Sequence, residues 1–141
     1  MQPADIHAIS VTVEVDGRVR LFVMLAADGG VQRMGDGALG DDELVLTSSR
    51  VGGEAAFAAL RDRIPASLLE RSRVMEDPEP VGMPCRLTIA LAVAGHSLST
   101  EYRYGSRSVG PPDELVNVAL AARDLTAAWH SPREAQGAAA P

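Results

Sequence analysis

The sequence predicts an α+β fold: two antiparallel β-hairpins joined into one sheet of four or five strands, with helices packed on one face. Two segments, 6–25 and 85–104, alternate apolar and polar residues with period two, each broken once by a short turn. Residues 53–70 and 112–130 instead carry apolar residues at helical spacing. The order strands, helices, strands, helix suits helices gathered on one side of an antiparallel sheet.

The first strand, "IHAISVTVEV", puts Ile9, Val11, Val13 and Val15 on one face and Ser10, Thr12 and Glu14 on the other. "RVRLFVML" follows, with Val19, Leu21, Val23 and Leu25 alternating again. A two-residue Asp16-Gly17 turn would pair Val15 with Arg18 and set valines against arginines. A three-residue turn, Val15-Asp16-Gly17, keeps the apolar face continuous. It places Glu14 opposite Arg18, Val13 opposite Val19, Val11 opposite Leu21 and Ile9 opposite Val23.

"DGG" then turns the chain into a short run, "VQRM", and "ELVLTS" reads as a further strand. "GGEAAFAALRDRI" reads as a helix with Ala56, Phe57, Leu60 and Ile64 inward. Pro65 ends it and opens a second short helix, "PASLLERS". Three prolines and three acids make "VMEDPEPVGMP" a loop. "CRLTIALAV" directs Cys85, Leu87, Ile89, Leu91 and Val93 one way. A two-residue Ala94-Gly95 turn sets Leu91 opposite Leu98, Ile89 opposite Thr100, Leu87 opposite Tyr102 and Cys85 opposite Tyr104. Pro111-Pro112 opens the last helix, whose apolar stripe is Leu115, Val118, Ala119, Ala122, Leu125 and Trp129. Pro132 ends it. Residues 1–131 read as one domain and 132–141 as a disordered tail.

The chain has 141 residues, 46% of them hydrophobic and only 4% aromatic, so its core must be aliphatic. Its net charge is −6, a poor match for nucleic acid and a better one for a protein partner, preferentially basic. All thirteen basic residues are arginine, which reads as the coding bias of a GC-rich bacterial genome. One cysteine allows no internal disulfide. The N-terminal residues lack a basic, apolar leader, and no run approaches ~18 apolar residues. The expected setting is cytoplasmic, away from membranes.

Several near-motifs can be weighed by what their chemistry requires. "GDGALGDDEL", residues 35–44, resembles a calcium loop. It fails the EF-hand pattern, because position 3 is Ala38 and position 5 is Gly40. It matches one copy of a nonapeptide calcium repeat, which holds ions only when copies stack. "GHSLS" misses the nucleophile elbow G-x-S-x-G at its last residue, and Ser97 leads into a strand instead of a helix. Asp113 or Asp124 followed by His130 would complete a hydrolase order. Cys85 and His96 suggest a thiol dyad, but the hairpin sets Cys85 ~27 Å from Val93 and its neighbour His96, at ~3.4 Å per residue. His7, His96 and His130 share no metal-ligand spacing. Arg107 and Ser108, just before the last helix, are candidates for an anion site at its N-terminus. No phosphate loop is present, and no cofactor or metal is expected.

These observations predict a small, acidic interaction protein of accessory, adaptor or toxin-neutralising type. Its candidate contacts are Asp36, Asp41, Asp42 and Glu43 in one acidic loop, Glu76 and Asp77 in another, or the sheet face opposite the helices. The alternatives are a small hydrolase or transferase using Ser97 with His130, or a small-molecule binder with a pocket between sheet and helices. Free sheet edges leave homo-oligomer formation open.

Overall fold

The computed structural model describes residues 2–36 and 46–130. Among these, seven strands form one mixed sheet and two α-helices lie on one of its faces. The strands are β1 (Ile6–Val15), β2 (Arg18–Ala26), β3 (Val31–Gly35), β4 (Leu46–Ser49), β5 (Arg73–Glu76), β6 (Pro84–Val93) and β7 (His96–Gly105). Across the sheet they run β4-β3-β2-β1-β6-β7-β5. The helices are α1 (Glu54–Arg61) and α2 (Asp113–Leu125).

The sheet is therefore wider than the four or five strands expected, and it is not antiparallel throughout. The additional pairing comes from Arg73–Glu76, which runs into the start of the segment expected to be a loop. It joins β7 in parallel, with Val74 beside Glu101 and Glu76 beside Arg103. Met75 turns inward against the core while Val74 and Glu76 turn out. Four alternating residues suffice for a strand when a neighbour supplies the ladder. Pro78 and Pro80 lie just beyond it, where proline cannot donate to a ladder. The short helix expected in "PASLLERS" is a 3-10 helix, Ala66–Leu69, with Pro65 at its N-cap. The last helix ends at Leu125, followed by a 3-10 turn at Ala127–Trp129.

The β1–β2 turn also departs from expectation. It has two residues, Asp16 and Gly17, with φ of 53° and 77°, the pair of positive values a type I′ turn needs. Val15 does pair with Arg18 and Glu14 with Val19. A bulge then absorbs Arg20, so that Val13 meets Leu21, Val11 meets Val23 and Ile9 meets Leu25. The apolar face is restored by one extra residue in the strand instead of one in the turn. At the second hairpin no correction is needed. Ala94 and Gly95 make the same kind of turn, and Leu91, Ile89, Leu87 and Cys85 pair with Leu98, Thr100, Tyr102 and Tyr104.

β4 and β5 lie at opposite edges, so the chain between them must cross the sheet. It does so as α1 and the 3-10 turn, which bury Phe57, Leu60, Ile64, Leu68 and Leu69 on the way. α2 packs against α1 and reaches β2, burying Leu115, Val118, Ala121 and Ala122. Beneath them lie Ile9, Val11, Val23, Leu25, Ile89, Leu91 and Val93, all almost fully buried. Gly53, the residue before α1, has no room for a Cβ, which would run into Val31 and the Gly29 carbonyl.

One charged residue enters this core. Arg33 on β3 is only 2% exposed. Its Nε donates to the Gly35 carbonyl at 2.8 Å. One terminal nitrogen donates to the Arg123 carbonyl at 2.7 Å and to the Thr126 hydroxyl at 2.9 Å. Thr126 in turn donates to the Ala122 carbonyl at 2.7 Å. The guanidinium thus satisfies the C-terminal end of α2, where free carbonyls and the helix dipole favour a cation. Burial lowers its pKa from the ordinary arginine value, opposed by the charges of Asp36 and Asp124.

Candidate interaction surface

The helices cover one face of the sheet, and the described residues leave the other uncovered. That open face is made by the alternate residues of each strand, and registers align them in rows. One row runs Ser48, Gln32, Met24, Ser10, Ala90 and Ser99 from β4 to β7. The next runs Leu46, Met34, Phe22, Thr12, Thr88, Glu101 and Val74 across all seven strands. Glu101 is the single charged residue in these two rows. Bulky apolar side chains gather on β2 and β3, and small ones on β1 and β6. Leu46 and Val74, on the two edge strands, are 53% and 63% exposed.

Charge is concentrated in the row nearest the β1–β2 turn. There Arg86 pairs with Glu14 on β1 and, at 3.7 Å, with Glu101 on β7. Arg103 pairs with the same Glu101 at 2.6 Å and with Glu76 on β5 at 3.2 Å. Three glutamates and two arginines alternate across four strands, so each arginine lies between two carboxylates. These hydrogen-bonded carboxylates raise the pKa of Arg103 above its ordinary value, Glu101 contributing most.

Where this row meets the end of the sheet lies an open groove of about 480 Å³, lined by Cys85, Tyr104, Pro80 and Gly82 with the paired charges on one side. Cys85 is buried and its thiol lies 3.5 Å from the Met83 carbonyl. Burial raises the pKa of this thiol. The Tyr104 phenol is raised as well, first by burial and then by the neighbouring Cys85. Tyr102 and Tyr104 pack against the core with ring centroids 6.1 Å apart.

The expected contact residues fall in several places. Asp41, Asp42 and Glu43 lie outside the described residues, as does the rest of the acidic segment 35–44 beyond Asp36. Asp36 sits at the end of β3 with its charge beside Arg33. Glu76 belongs to the charged row, and Asp77 accepts the Glu79 N–H at 2.9 Å in a local turn. Ser108 accepts the Val81 N–H at 2.8 Å, and Ser106 accepts the Met83 N–H at 2.9 Å. These two hydroxyls fasten the loop 77–83 to the loop before α2. Arg107 is exposed beside them. The first turn of α2 carries its own acids, Asp113 and Glu114, which already complement the helix dipole.

Ser97 and His130 are not brought together. Ser97 pairs with Ala92 on the open face, whereas His130 follows the 3-10 turn packed beside β3 on the helix side. Cys85 pairs with Tyr104 and His96 with Val93, at opposite ends of β6. Among the described residues, no three His, Cys, Asp or Glu side chains converge as a metal group. No described helix is long and apolar enough to cross a membrane. Neither a protein-family model nor a curated protein sequence matches this chain.

The open face has a sequence signal that alternation alone obscures. In "LFVMLA", residues 21–26, the outward positions Phe22 and Met24 are as apolar as the inward ones. A strand apolar on both sides asks for cover on both sides.

Proposed function

We propose that the chain is an interaction protein that works by contact with another protein through its open sheet face. The observation that supports this is the distribution of charge. An antiparallel sheet with one face in water ordinarily alternates apolar and polar residues. Here the two inner rows of the outer face carry Phe22, Met24, Met34 and Ala90 with a single charge, Glu101, and the other charges of the network lie in the row beside them. A charge-poor patch rich in Met and Phe, bordered by charged residues, has the composition of a protein contact surface. Accessory, adaptor and toxin-neutralising proteins act through surfaces of this kind. The described acids favour the face over the acidic loops as the contact, since Glu76 and Asp77 are engaged locally. The net charge of −6 steers basic partners toward the protein at long range.

Site-specific photo-crosslinking tests this. A crosslinker replacing Met24 or Thr88 is expected to give a discrete protein adduct, and one replacing the exposed Asn117 on α2 is not. Adducts from position 117 alone, or from none of the three, would overturn the proposal.

A further inference from the structure

The open face has a symmetry in its pattern that suits one particular occupant. β1 is the middle strand of seven, with β2, β3 and β4 on one side and β6, β7 and β5 on the other. The bulky residues, Phe22, Met24 and Met34, lie on one side of it. Small ones, Thr88 and Ala90, lie at the matching places beside Phe22 and Met24 on the other, and the place that matches Met34 holds Glu101. The exposed Leu46 and Val74 occupy the same row at the two edges.

Building on the proposed function, we infer that this face is where two copies of the chain stack, sheet on sheet, about a two-fold axis parallel to β1. Such an axis carries β2 of one copy over β6 of the other and β4 over β5, and it preserves the rows. Met24 then enters the space above the partner copy's Ala90, Phe22 that above its Thr88, Leu46 meets its Val74, and Met34 lies over its Glu101, whose carboxylate is held by Arg103. A two-fold axis across the strands would instead set β2 upon β2, bulky on bulky, leaving the small-residue half unfilled. The isologous arrangement along β1 is the one that sets the large residues of β2 over the small ones of β6.

The area is sufficient. Six spacings of about 4.8 Å and rows spanning about 20 Å give a face on the order of 600 Å² per copy, or about 1,200 Å² for a pair, at the threshold of standard interfaces. Covering the face strands no unpaired charge, since Glu14 and Glu101 are already held by Arg86 and Arg103. The described edges favour the face over edge-to-edge pairing, because β4 and β5 are only four residues long. Each copy carries a net charge of −6, so the two repel at long range and salt should tighten the pair by screening.

Sedimentation velocity on the full chain tests the inference. Wild type is expected to dimerise at micromolar concentration and more tightly at 300 mM than at 50 mM salt. Met24→Arg and Ala90→Arg are each expected to weaken the dimer about 100-fold, the effect of an unpaired charge in a covered face. Asn117→Arg is expected to leave it unchanged. Far-UV circular dichroism and melting separate dissociation from unfolding. Should either arginine variant fail to fold, Thr88→Gln, which adds bulk without charge, replaces it and is also expected to weaken the dimer. Mixing Met24→Glu with Ala90→Arg is expected to restore a heterodimer, since the two positions face each other only across this axis. A wild type monomeric at 200 µM would overturn the inference, as would a dimer indifferent to all three face substitutions. If the monomer still gave a crosslink from position 24 to a different protein, self-stacking would fall while the reading of the face as a contact surface stood. A monomer with no such crosslink would remove both.

Discussion

The two faces of the sheet are built from the same strands and differ in what the alternate positions carry. On the covered face Ile9, Val11, Val23, Leu25, Ile89 and Leu91 lie under the helices at 0–2% exposure. On the open face the same strands present Ser10, Thr12, Phe22, Met24, Thr88 and Ala90, only partly shielded by one another. The covered face holds the fold together, and the open one is the surface proposed for contact. A substitution should therefore have its effect on stability or on association according to the parity of its position.

The largest contrast comes from a matched pair of truncations. Leu60 is fully buried where α1 crosses the sheet, whereas Thr88 lies part-exposed on the open face. Leu60→Ala is expected to cost about 2–5 kcal/mol in urea unfolding, through lost transfer energy and a residual cavity. Thr88→Ala should change stability by no more than ~0.5 kcal/mol under conditions where the protein is monomeric. Comparable losses at both positions would mean that the open face is folded against something within the chain itself.

How much of this was legible in the residues depends on where the signal is local. The β6–β7 register is readable because the Ala94-Gly95 turn and both alternations agree. The β1–β2 register is not, because two remedies for the same conflict exist and nothing in "VDGRVR" distinguishes a longer turn from a bulge at Arg20. β5 escapes for another reason: four residues before a proline-rich stretch become a strand only when β7 lies beside them. The open face has the weakest signal of all, since neighbours such as Met24 and Ala90 are sixty-six positions apart in sequence and become one row only through two intervening strand pairings.

Arg33 was equally illegible, as a charged residue in the inward parity of a short strand. The contrast between faces predicts that this position, despite its polarity, belongs to stability. Arg33→Met is expected to cost about 2 kcal/mol, since it leaves the Gly35 and Arg123 carbonyls without their charged donor. Hydrogen exchange should quicken selectively in the last turn of α2. A neutral outcome would show that the helix end finds other partners.

The burial of the covered face extends to the end of the sheet, where it acts on two acids. Cys85 and Tyr104 both have pKa values raised in the folded state, the first by burial, the second by burial and then by Cys85. Above its ordinary pKa each group ionises in the unfolded chain before it does so in the folded one. The unfolded state then binds fewer protons, so stability falls as pH rises. The contribution is fully present below the ordinary thiol range and is lost as pH climbs through the raised values. Melting temperature should therefore decline above about pH 9, the ordinary thiol range. Cys85→Ala should make the onset shallower, and Cys85→Ala with Tyr104→Phe shallower still. An unchanged alkaline slope in the double variant would mean that this end of the sheet is wetter than its packing indicates.

The smallest effect is the most discriminating for the open face. Glu14 and Arg86 form an ion pair in a part-exposed row, where the side chains are 21% and 43% exposed. A double-mutant cycle with Glu14→Gln and Arg86→Met should yield a coupling of only about 0.5 kcal/mol in dilute protein, reduced further by salt. Water and counterions reach the pair there, so its Coulomb attraction is largely offset by hydration. If two copies stack on this face, the same pair becomes more desolvated and its coupling strengthens, because a lower effective dielectric raises the attraction between fixed charges. The cycle repeated across a concentration series should then show coupling that grows as the dimer forms and loses much of its salt sensitivity. A coupling independent of concentration in a chain that demonstrably dimerises would place the contact elsewhere, since a contact elsewhere leaves this row in water.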